Sequence, residues 1–318
     1  MLPMTTTSNL KVSQQAPIGL HSLRSGIIST LPCLDDIQVS RFRIHLVFPQ
    51  GLDLERYPGF ILHGALGAAL HERHPAAYEM LFGERDIIKP WLITSPAGQL
   101  PPGGSSVFEL RLFNDANELA PLLLAALTVA GMRGLGSKRQ PFRIAGIDIL
   151  RPGNLPELSL AEASATNIVF PAAAWCRPAA AEGHVRISFT SPLRLKDGNR
   201  LVHNKPEFHA LMARTLGRAA LLAHHEPLSG ADKFILLDVA KSVAITNSRL
   251  RWDNQTRYSA RQQRVMPFDG LIGDADYGPG SARFAPWLDL ASILHLGGKT
   301  TFGLGGIDWH VLEEDSHV

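Results

Sequence analysis

The chain has 318 residues, enough for two domains of ordinary size and for a core that needs no disulfide or metal staple. Its net charge of +2, with 45% hydrophobic and 19% charged residues, excludes a disordered tail and a strongly basic packaging protein. The two cysteines, Cys33 and Cys176, are far apart and belong to no Cys-x-x-Cys pair, which disfavours a disulfide framework and a structural zinc and fits a reducing compartment.

Residues 1–40 read as an N-terminal extension. They lack a basic stretch followed by an apolar one, and the longest strongly apolar run, 119–132, falls short of the ~20 residues of a membrane span, so a soluble cytoplasmic protein with no membrane partner is expected. Residues 41–49 (RFRIHLVFP) alternate as a strand does. Residues 58–74 carry helical apolar spacing at Phe60, Leu62, Leu66, Ala69 and Leu70, with Pro58 and Pro75 marking the ends. Strands follow at 91–94 and 107–113, then a helix capped by Asn114 or Asp115 and running to about Met132, then a strand at 142–150. This βαββαβ order predicts a ferredoxin-like domain over 41–150.

The stretch 151–183, rich in Pro, Ala and Ser, reads as a linker. A second unit over 184–318 opens with HVRISFTSPLRL and continues with a helix near 206–225, strands near 242–252 and 265–277, a helix near 285–296 and a last strand at 307–313. A faint repeat links the halves: Ala120-Pro121 and Ala285-Pro286 each open a helix that leads to a glycine loop and then to Gly-Ile-Asp, at Gly146 and at Gly306. The fold class expected is α+β, two tandem ferredoxin-like (RRM-like) domains with a C-terminal glycine-rich loop.

Charge is uneven along the chain. Residues 177–264 hold 15 basic and 7 acidic side chains, whereas 265–318 hold 2 and 8. That asymmetry suggests a polyanion-binding face, the alternative being a solvated charged surface. Within it, RLRWDNQTRYSARQQR places Arg249, Arg251, Arg257, Arg261 and Arg264 around Trp252 and Tyr258. Arginine forks bind phosphate and aromatics stack on unpaired bases, which suits single-stranded or hairpin RNA; a surface β-hairpin with a buried tryptophan would carry the same letters.

The segment LGGKTTFGLGG (296–306) is the sharpest local feature. It is not a phosphate-binding P-loop, because Ile293 stands where that motif needs its first glycine and the segment follows a helix, not a strand. Backbone N–H groups at Gly298, Gly303 and Gly305, with Lys299, Thr300 and Thr301, could hold a polyphosphate backbone; a tight helix-to-strand turn is the plainer alternative. No Gly-x-Ser-x-Gly elbow and no flavin or nicotinamide fingerprint is present. HERH at 71–74 does not match a zinc-binding HExxH, so no metal site and no cofactor is expected.

The motifs Gly298-Lys299-Thr300-Thr301-Phe302-Gly303-Leu304-Gly305, Arg257-Tyr258-Ser259 with Arg261-Gln262, and Ser191-Pro192-Leu193-Arg194, preceded by Leu62-His63-Gly64-Ala65-Leu66-Gly67, Tyr78, Leu81-Phe82-Gly83 and Gly134-Leu135-Gly136 with Arg139 and Phe142, occur in an order that resembles a known family. Over about 42–312 the chain is similar to the CRISPR-associated endoribonucleases of the RAMP superfamily that cut precursor CRISPR RNA. The resemblance implies binding of CRISPR repeat RNA, with contacts from the glycine-rich loop, from Arg249 to Arg264 and from Lys138 and Arg139. It further implies metal-independent attack by a ribose 2′-hydroxyl, leaving 2′,3′-cyclic phosphate and 5′-hydroxyl ends.

The catalytic histidine that the family often places after the turn following its first helix is missing here, where Leu81-Phe82-Gly83 stands. The helix offers His63, His71 and His74, which a 100° step per residue brings towards one broad face, and His63, set among small residues, is the first choice; Lys89 is a candidate phosphate partner. The rival expectations are a non-catalytic RNA-binding RAMP subunit of an effector complex, with other Cas subunits as partners, and a protein-interaction scaffold.

Overall fold

The computed structural model describes residues 34–53, 59–83, 88–94, 99–164, 167–179, 182–259 and 264–312. The long first strand β1 (Gln38–Phe48) sends Phe42, Ile44, Leu46 and Phe48 into one core by its two-residue period. It pairs antiparallel with β3 (Gly104–Phe113) on one side and β4 (Arg143–Ile149) on the other, and β2 (Trp91–Thr94) pairs with β3. The resulting order β2-β3-β1-β4, with helices α1 (Gly59–Arg73) and α3 (Ala120–Arg133) in the two crossovers, is ferredoxin-like. The second unit repeats it. Strands β5 (His184–Leu193), β6 (Ile245–Asp253), β9 (Gly270–Tyr277) and β10 (Ile307–Leu312) form a sheet of order β6-β9-β5-β10, with α4 (Phe208–Ala223) and α6 (Ala285–Leu294) in the crossovers. A two-stranded hairpin, β7 (Thr256–Ser259) and β8 (Arg264–Pro267), is inserted between β6 and β9.

Several elements differ from the sequence reading. The helix expected over 58–74 stops at Arg73, and a second one, α2 (Pro75–Phe82), starts at once. Pro75 has no N–H to continue the first helix, and His74 leaves helical geometry at φ −144°, ψ 70°. Asn114 does not cap α3. A 3-10 turn (Asn114–Leu119) precedes that helix, and the Asn114 side chain instead accepts from the Gln38 N–H at 2.8 Å and donates to the Leu222 carbonyl at 2.6 Å, joining the two units. Helix α5 (Gly230–Lys241) was not expected either, although Ser229-x-x-Asp232 is a capping box; the Ser229 Oγ accepts from the Asp232 N–H at 3.1 Å.

Parts of 151–164 and 167–179 pair with the first sheet. Leu158–Ser159 extends that sheet beyond β4, and Phe170–Pro171 pairs with the start of β1. Trp175 sits 4.8 Å from the Arg41 guanidinium. Leu34 and Ile37 are fully buried, so the packed chain begins ahead of the strand expected at 41.

The two units share a core, in which Leu34, Ile37, Val39, Leu92 and Phe113 of the first pack with the strands and helices of the second. At its centre lies the C-terminus of α6, whose last carbonyls have no partners within the helix. Arg111 of β3 donates to the carbonyls of Ser292 (2.6 Å) and Ile293 (2.9 Å), and Arg218 of α4 donates to that of Leu294 (2.7 Å). Glu109 balances this charge between Arg41 (2.6 Å) and Arg111 (2.7 Å). Burial raises the Glu109 carboxyl, but the two guanidiniums outweigh it and hold the group far below the usual carboxylate range.

His295 follows α6 at φ 59° and is buried; its Nδ1 donates to the Leu304 carbonyl at 3.1 Å, which leaves Nε2 without a proton. Burial first, and then the charge of Arg111, push its pKa down to about 3. The unfolded chain takes up this proton below about 6.5 and the folded chain does not. Stability is therefore lost as pH falls from that value towards 3, by up to about 1.4 kcal/mol per pH unit from this group. His295→Asn, which keeps a donor for Leu304 without a titratable ring, should flatten the fall in unfolding free energy between about pH 6 and 4. An unchanged slope in urea titrations at several pH values would contradict that assignment.

Candidate functional site

Helix α1 brings His63 to the junction of the two units. Its first turn can approach the second unit because Gly59 has no side chain; a Cβ there would collide with the Phe302 carbonyl oxygen. The His63 ring is half-buried. Trp91 of β2 stacks against it at 4.9 Å and 13°, Phe302 lies over it at 4.1 Å, and Phe82 of α2 meets it edge-on at 4.8 Å. Trp91 is fixed by its Nε1 donating to the Leu81 carbonyl at 3.0 Å. Trp91 was not singled out from sequence, and Phe82 and Phe302 were named only within the Leu-Phe-Gly and Gly-Lys-Thr-Thr-Phe-Gly motifs, with no role of their own.

Phe302 belongs to the segment that returns from α6 to β10. Six of its N–H groups are engaged within the protein. Leu296 donates to the Gly305 carbonyl, Gly298 to Arg194, Phe302 to Lys299, Gly303 to Thr300, Gly305 to Pro192, and Gly306 to the Ser191 Oγ, at 2.8 to 3.1 Å. The Ser191-Pro192-Leu193-Arg194 motif is thus the seat of the glycine-rich segment, and these N–H groups support the turn. Lys299, at φ 64°, donates to the Pro267 carbonyl and sits 4.3 Å above the Phe268 ring. Thr300 is buried and Thr301 half-buried.

The base of the β7–β8 hairpin closes the junction. Phe268 packs on Phe60 of α1 (5.6 Å) and on Phe302 (5.2 Å), and with Leu304 these residues form a small apolar cluster of their own. Arg257 and Arg264 lie on the paired strands, opposite Met266 and Ser259, and Arg261 falls outside the described residues. Arg249 and Arg251 are exposed on the edge strand β6, with carboxylates of Asp274, Asp276 and Asp253 at 3.5 to 3.9 Å. Trp252 packs on His203 at 4.3 Å and against the core shared by the two units.

The other expected residues are dispersed. His71 is exposed and meets Tyr78 edge-on at 4.7 Å, and Tyr78 in turn stacks on Phe82 at 5.3 Å. His74 lies in the break between α1 and α2, so the three histidines do not share one continuous helix face. Lys89 donates to the Gly83 carbonyl, which ties the end of α2 to the approach to β2. Lys138 and Arg139 are exposed on the turn between α3 and β4. Among the described residues no group of three or more His, Cys, Asp or Glu is placed to hold a metal ion, and no helix is long and apolar enough to cross a membrane.

The glycines of the segment divide by geometry. Gly303 (φ 85°) and Gly305 (φ 73°) adopt left-handed backbone, and a Cβ would strike the carbonyl oxygens of Ile93 and Leu296 respectively, whereas a Cβ at Gly298 meets nothing. Gly303→Ala and Gly305→Ala should each destabilise the fold by about 1 to 3 kcal/mol or more, and Gly298→Ala by under about 1 kcal/mol. Thermal unfolding of the three variants checks this, and equal losses would contradict the geometry.

Comparison with known proteins bears on the same segments. Residues 187–307 match the family model of the CRISPR-associated endoribonuclease Cas6, and residues 37–169 match a model described as an N-terminal domain. No curated protein sequence matches the chain. Thermus thermophilus Cas6 is similar in structure at a TM-score of 0.55 and 16% identity, over 86% of this chain and 99% of that one. A Cas6 product complex gives 0.55 and 19%, over 85% and 98% of the two chains. A partial Cas6-RT-Cas1–Cas2 complex gives 0.54 and 14%, over 92% of this chain and 48% of that one. At these identities the structures speak for the shared tandem fold, while the family match falls on the half that carries the hairpin and the glycine-rich segment. Residues 187–307 thus resemble the Cas6 family, and the chain shares the tandem fold of solved Cas6 structures.

Proposed function

We propose that this protein binds CRISPR repeat RNA at the junction of its two domains and cleaves precursor CRISPR RNA there, acting in the cytoplasm. The observation that carries the reading is that α1 brings His63 onto the loop that bears Lys299 and Phe60 onto Phe268, which follows the hairpin whose sequence bears Arg257, Arg261 and Arg264. A phosphodiester needs both kinds of group: cations to bind it and to stabilise the charge gained in the transition state, and a group near neutral pKa to move a proton.

In the proposed reaction the ribose 2′-oxygen attacks the adjacent phosphorus in line with the departing 5′-oxygen. The P–O2′ bond forms as the P–O5′ bond breaks, the 2′-proton is released, and the 5′-oxygen gains a proton. The products are a 2′,3′-cyclic phosphate and a 5′-hydroxyl, with no metal in the chemistry. His63 is the residue proposed to move a proton. Lys299 and the hairpin arginines hold the phosphates, with Arg249 and Arg251 extending the track along β6. Lys89, tied to Gly83, serves the fold around α2 in this reading, and His63 is preferred to His71 and His74 because its ring meets Phe302 of the loop.

A second reading has support of its own. The close aromatic packing of the His63 ring suits a histidine that joins two domains, as in a non-catalytic RNA-binding subunit of an effector complex with other Cas proteins. Labelled repeat RNA incubated in EDTA separates the two. Cleavage is expected with the ribose substrate and none with 2′-deoxyribose at the cut site, and His63→Ala should slow single-turnover cutting by roughly 10² to 10⁴-fold with affinity within a fewfold. Binding without cutting selects the second reading.

The phosphate track is tested by salt. Arg249→Glu or Arg257→Glu should weaken repeat binding and reduce the slope of log affinity against log salt by about 0.7 for each phosphate of single-stranded RNA that the variant no longer neutralises. Folded variants with unchanged affinity and slope would remove those side chains from the track.

A further inference from the structure

The duplicated unit carries its last helix-to-strand turn twice, and the two copies use their backbone differently. In the second domain α6 leads to Leu296-Gly297-Gly298-Lys299, and in the first α3 leads to Leu135-Gly136-Ser137-Lys138. Each leucine is buried, and each is followed by a left-handed glycine, Gly297 at φ 77° and Gly136 at φ 70°. Each leucine N–H donates at 2.8 Å across the base of its turn, Leu296 to the Gly305 carbonyl and Leu135 to that of Gln140. Beyond that base the copies diverge. The Gly298 N–H is engaged by the Arg194 carbonyl, and a Cβ at Gly297 would strike the same carbonyl oxygen. A Cβ at Gly136 would meet nothing within 4 Å, and among the described residues the N–H groups of Gly136, Ser137 and Lys138 have no acceptor.

Successive N–H groups in a turn beside a left-handed residue make a concavity that binds anions. Water satisfies an exposed N–H equally well, so the side chains around these groups decide what the turn takes. Lys138 and Arg139 are exposed on it, Ser137 adds a hydroxyl, and Arg143 opens β4 just beyond. No acidic residue occurs from 119 to 147, a stretch that holds Arg133, Lys138, Arg139 and Arg143, and of these only Arg133 has an ion pair among the described residues. The turn is also fixed in advance. The Gln140 N–H returns to the Leu135 carbonyl at 2.9 Å, that of Arg139 to Gly136 at 3.2 Å, and that of Phe142 to Gly131 at 3.1 Å, while the Phe142 ring packs on Phe48 at 5.8 Å. Arg139 itself holds left-handed backbone at φ 48°, a strained state for a residue with a side chain. Glycine would relieve that strain but would bring no charge.

We infer that the turn Leu135–Gln140 of the first domain is a phosphate-binding site, in which the N–H groups of Gly136, Ser137 and Lys138 hold the oxygens of one RNA backbone phosphate and the side chains of Lys138 and Arg139 neutralise it. RNA as the source of that phosphate rests on the repeat binding proposed above; the phosphate chemistry of the turn does not. A phosphodiester offers two unesterified oxygens and one negative charge, which a row of amides with flanking cations matches. Such a contact carries no base information and fixes where the strand lies. The amide contacts to phosphate that the sequence suggests for the C-terminal glycine-rich segment fall instead to the first-domain copy, because the amides of the second copy hold its own fold together.

The test uses the full chain labelled with 15N-lysine, in which the Lys138 amide is assigned by its loss in Lys138→Arg. Repeat RNA, and inorganic phosphate added alone, should each move the Lys138 amide proton downfield, as an N–H moves on donating to an anion. In binding measurements across a salt series, Lys138→Glu should lower the slope of log affinity against log salt by about 0.7, the share of one phosphate of single-stranded RNA, and Lys138→Arg should keep it. A Lys138 amide that stays in place when the chain is saturated with repeat RNA overturns the site, and so does an unchanged slope in folded Lys138→Glu. If the chain binds no repeat RNA, the proposed function fails instead, and inorganic phosphate still decides the turn. A moving amide then keeps it as a phosphate site with another ligand, and an unmoved one overturns it.

Discussion

Everything at the domain junction depends on how the C-terminus of α6 is satisfied. Its last carbonyls lie in or at the edge of the shared core, and a buried carbonyl without a donor costs about 1 to 3 kcal/mol. Arg111 reaches them from the first sheet and Arg218 from α4. Charged donors also suit the negative end of a helix dipole. The cost is two buried guanidiniums, and burial lowers the pKa of Arg218 to about 10. Glu109, shared by Arg41 and Arg111, offsets part of this on the side of the first domain. Removing one member of such a buried set leaves its partner's charge uncompensated, which is strongly destabilising.

The position of the glycine-rich segment follows from that anchor. It starts at the end of α6, is seated on the Ser191–Arg194 turn by backbone hydrogen bonds, and meets the first domain where Gly59 and Gly303 let backbone touch backbone. Phe302 lies between these two contacts and is delivered onto His63. Most of the glycines near the centre of the segment are there for close approach and left-handed backbone, and what it offers to a ligand is concentrated in its side chains and in Gly298, where space is open. A site assembled in this way is preorganised, because none of its parts can shift without opening a packed interface.

The βαββαβ order of both halves was legible because each strand alternates with a period of two and each main helix presents a continuous apolar face. Boundaries were less so. The break at His74 was signalled by Pro75, yet the helix that follows was not, since PAAYEMLF is short and its burial depends on α1. The stretch 151–183 has the composition of a linker, but Phe170–Pro171 pairs with β1 and Trp175 meets Arg41, contacts between residues more than 130 apart that composition does not encode. Among candidate site residues, His63 and Lys299 were found from their motifs, and Phe302 was passed over because an aromatic within a glycine-rich run looks like a packing residue until its neighbour is known.

By itself the sequence determined the alternation of strands and helices, the duplication of one unit, the basic stretch over 177–264 and the motifs of a family, because all of these are written in local order and composition. The tertiary structure decided which of three histidines meets the second domain, that the motif glycines serve backbone contact, and that Trp91 and Phe302 enclose His63. Those facts arise from long-range packing: residue 302 joins residues 63 and 91 only when the second unit docks on the first, and no periodicity or spacing along the chain records that docking.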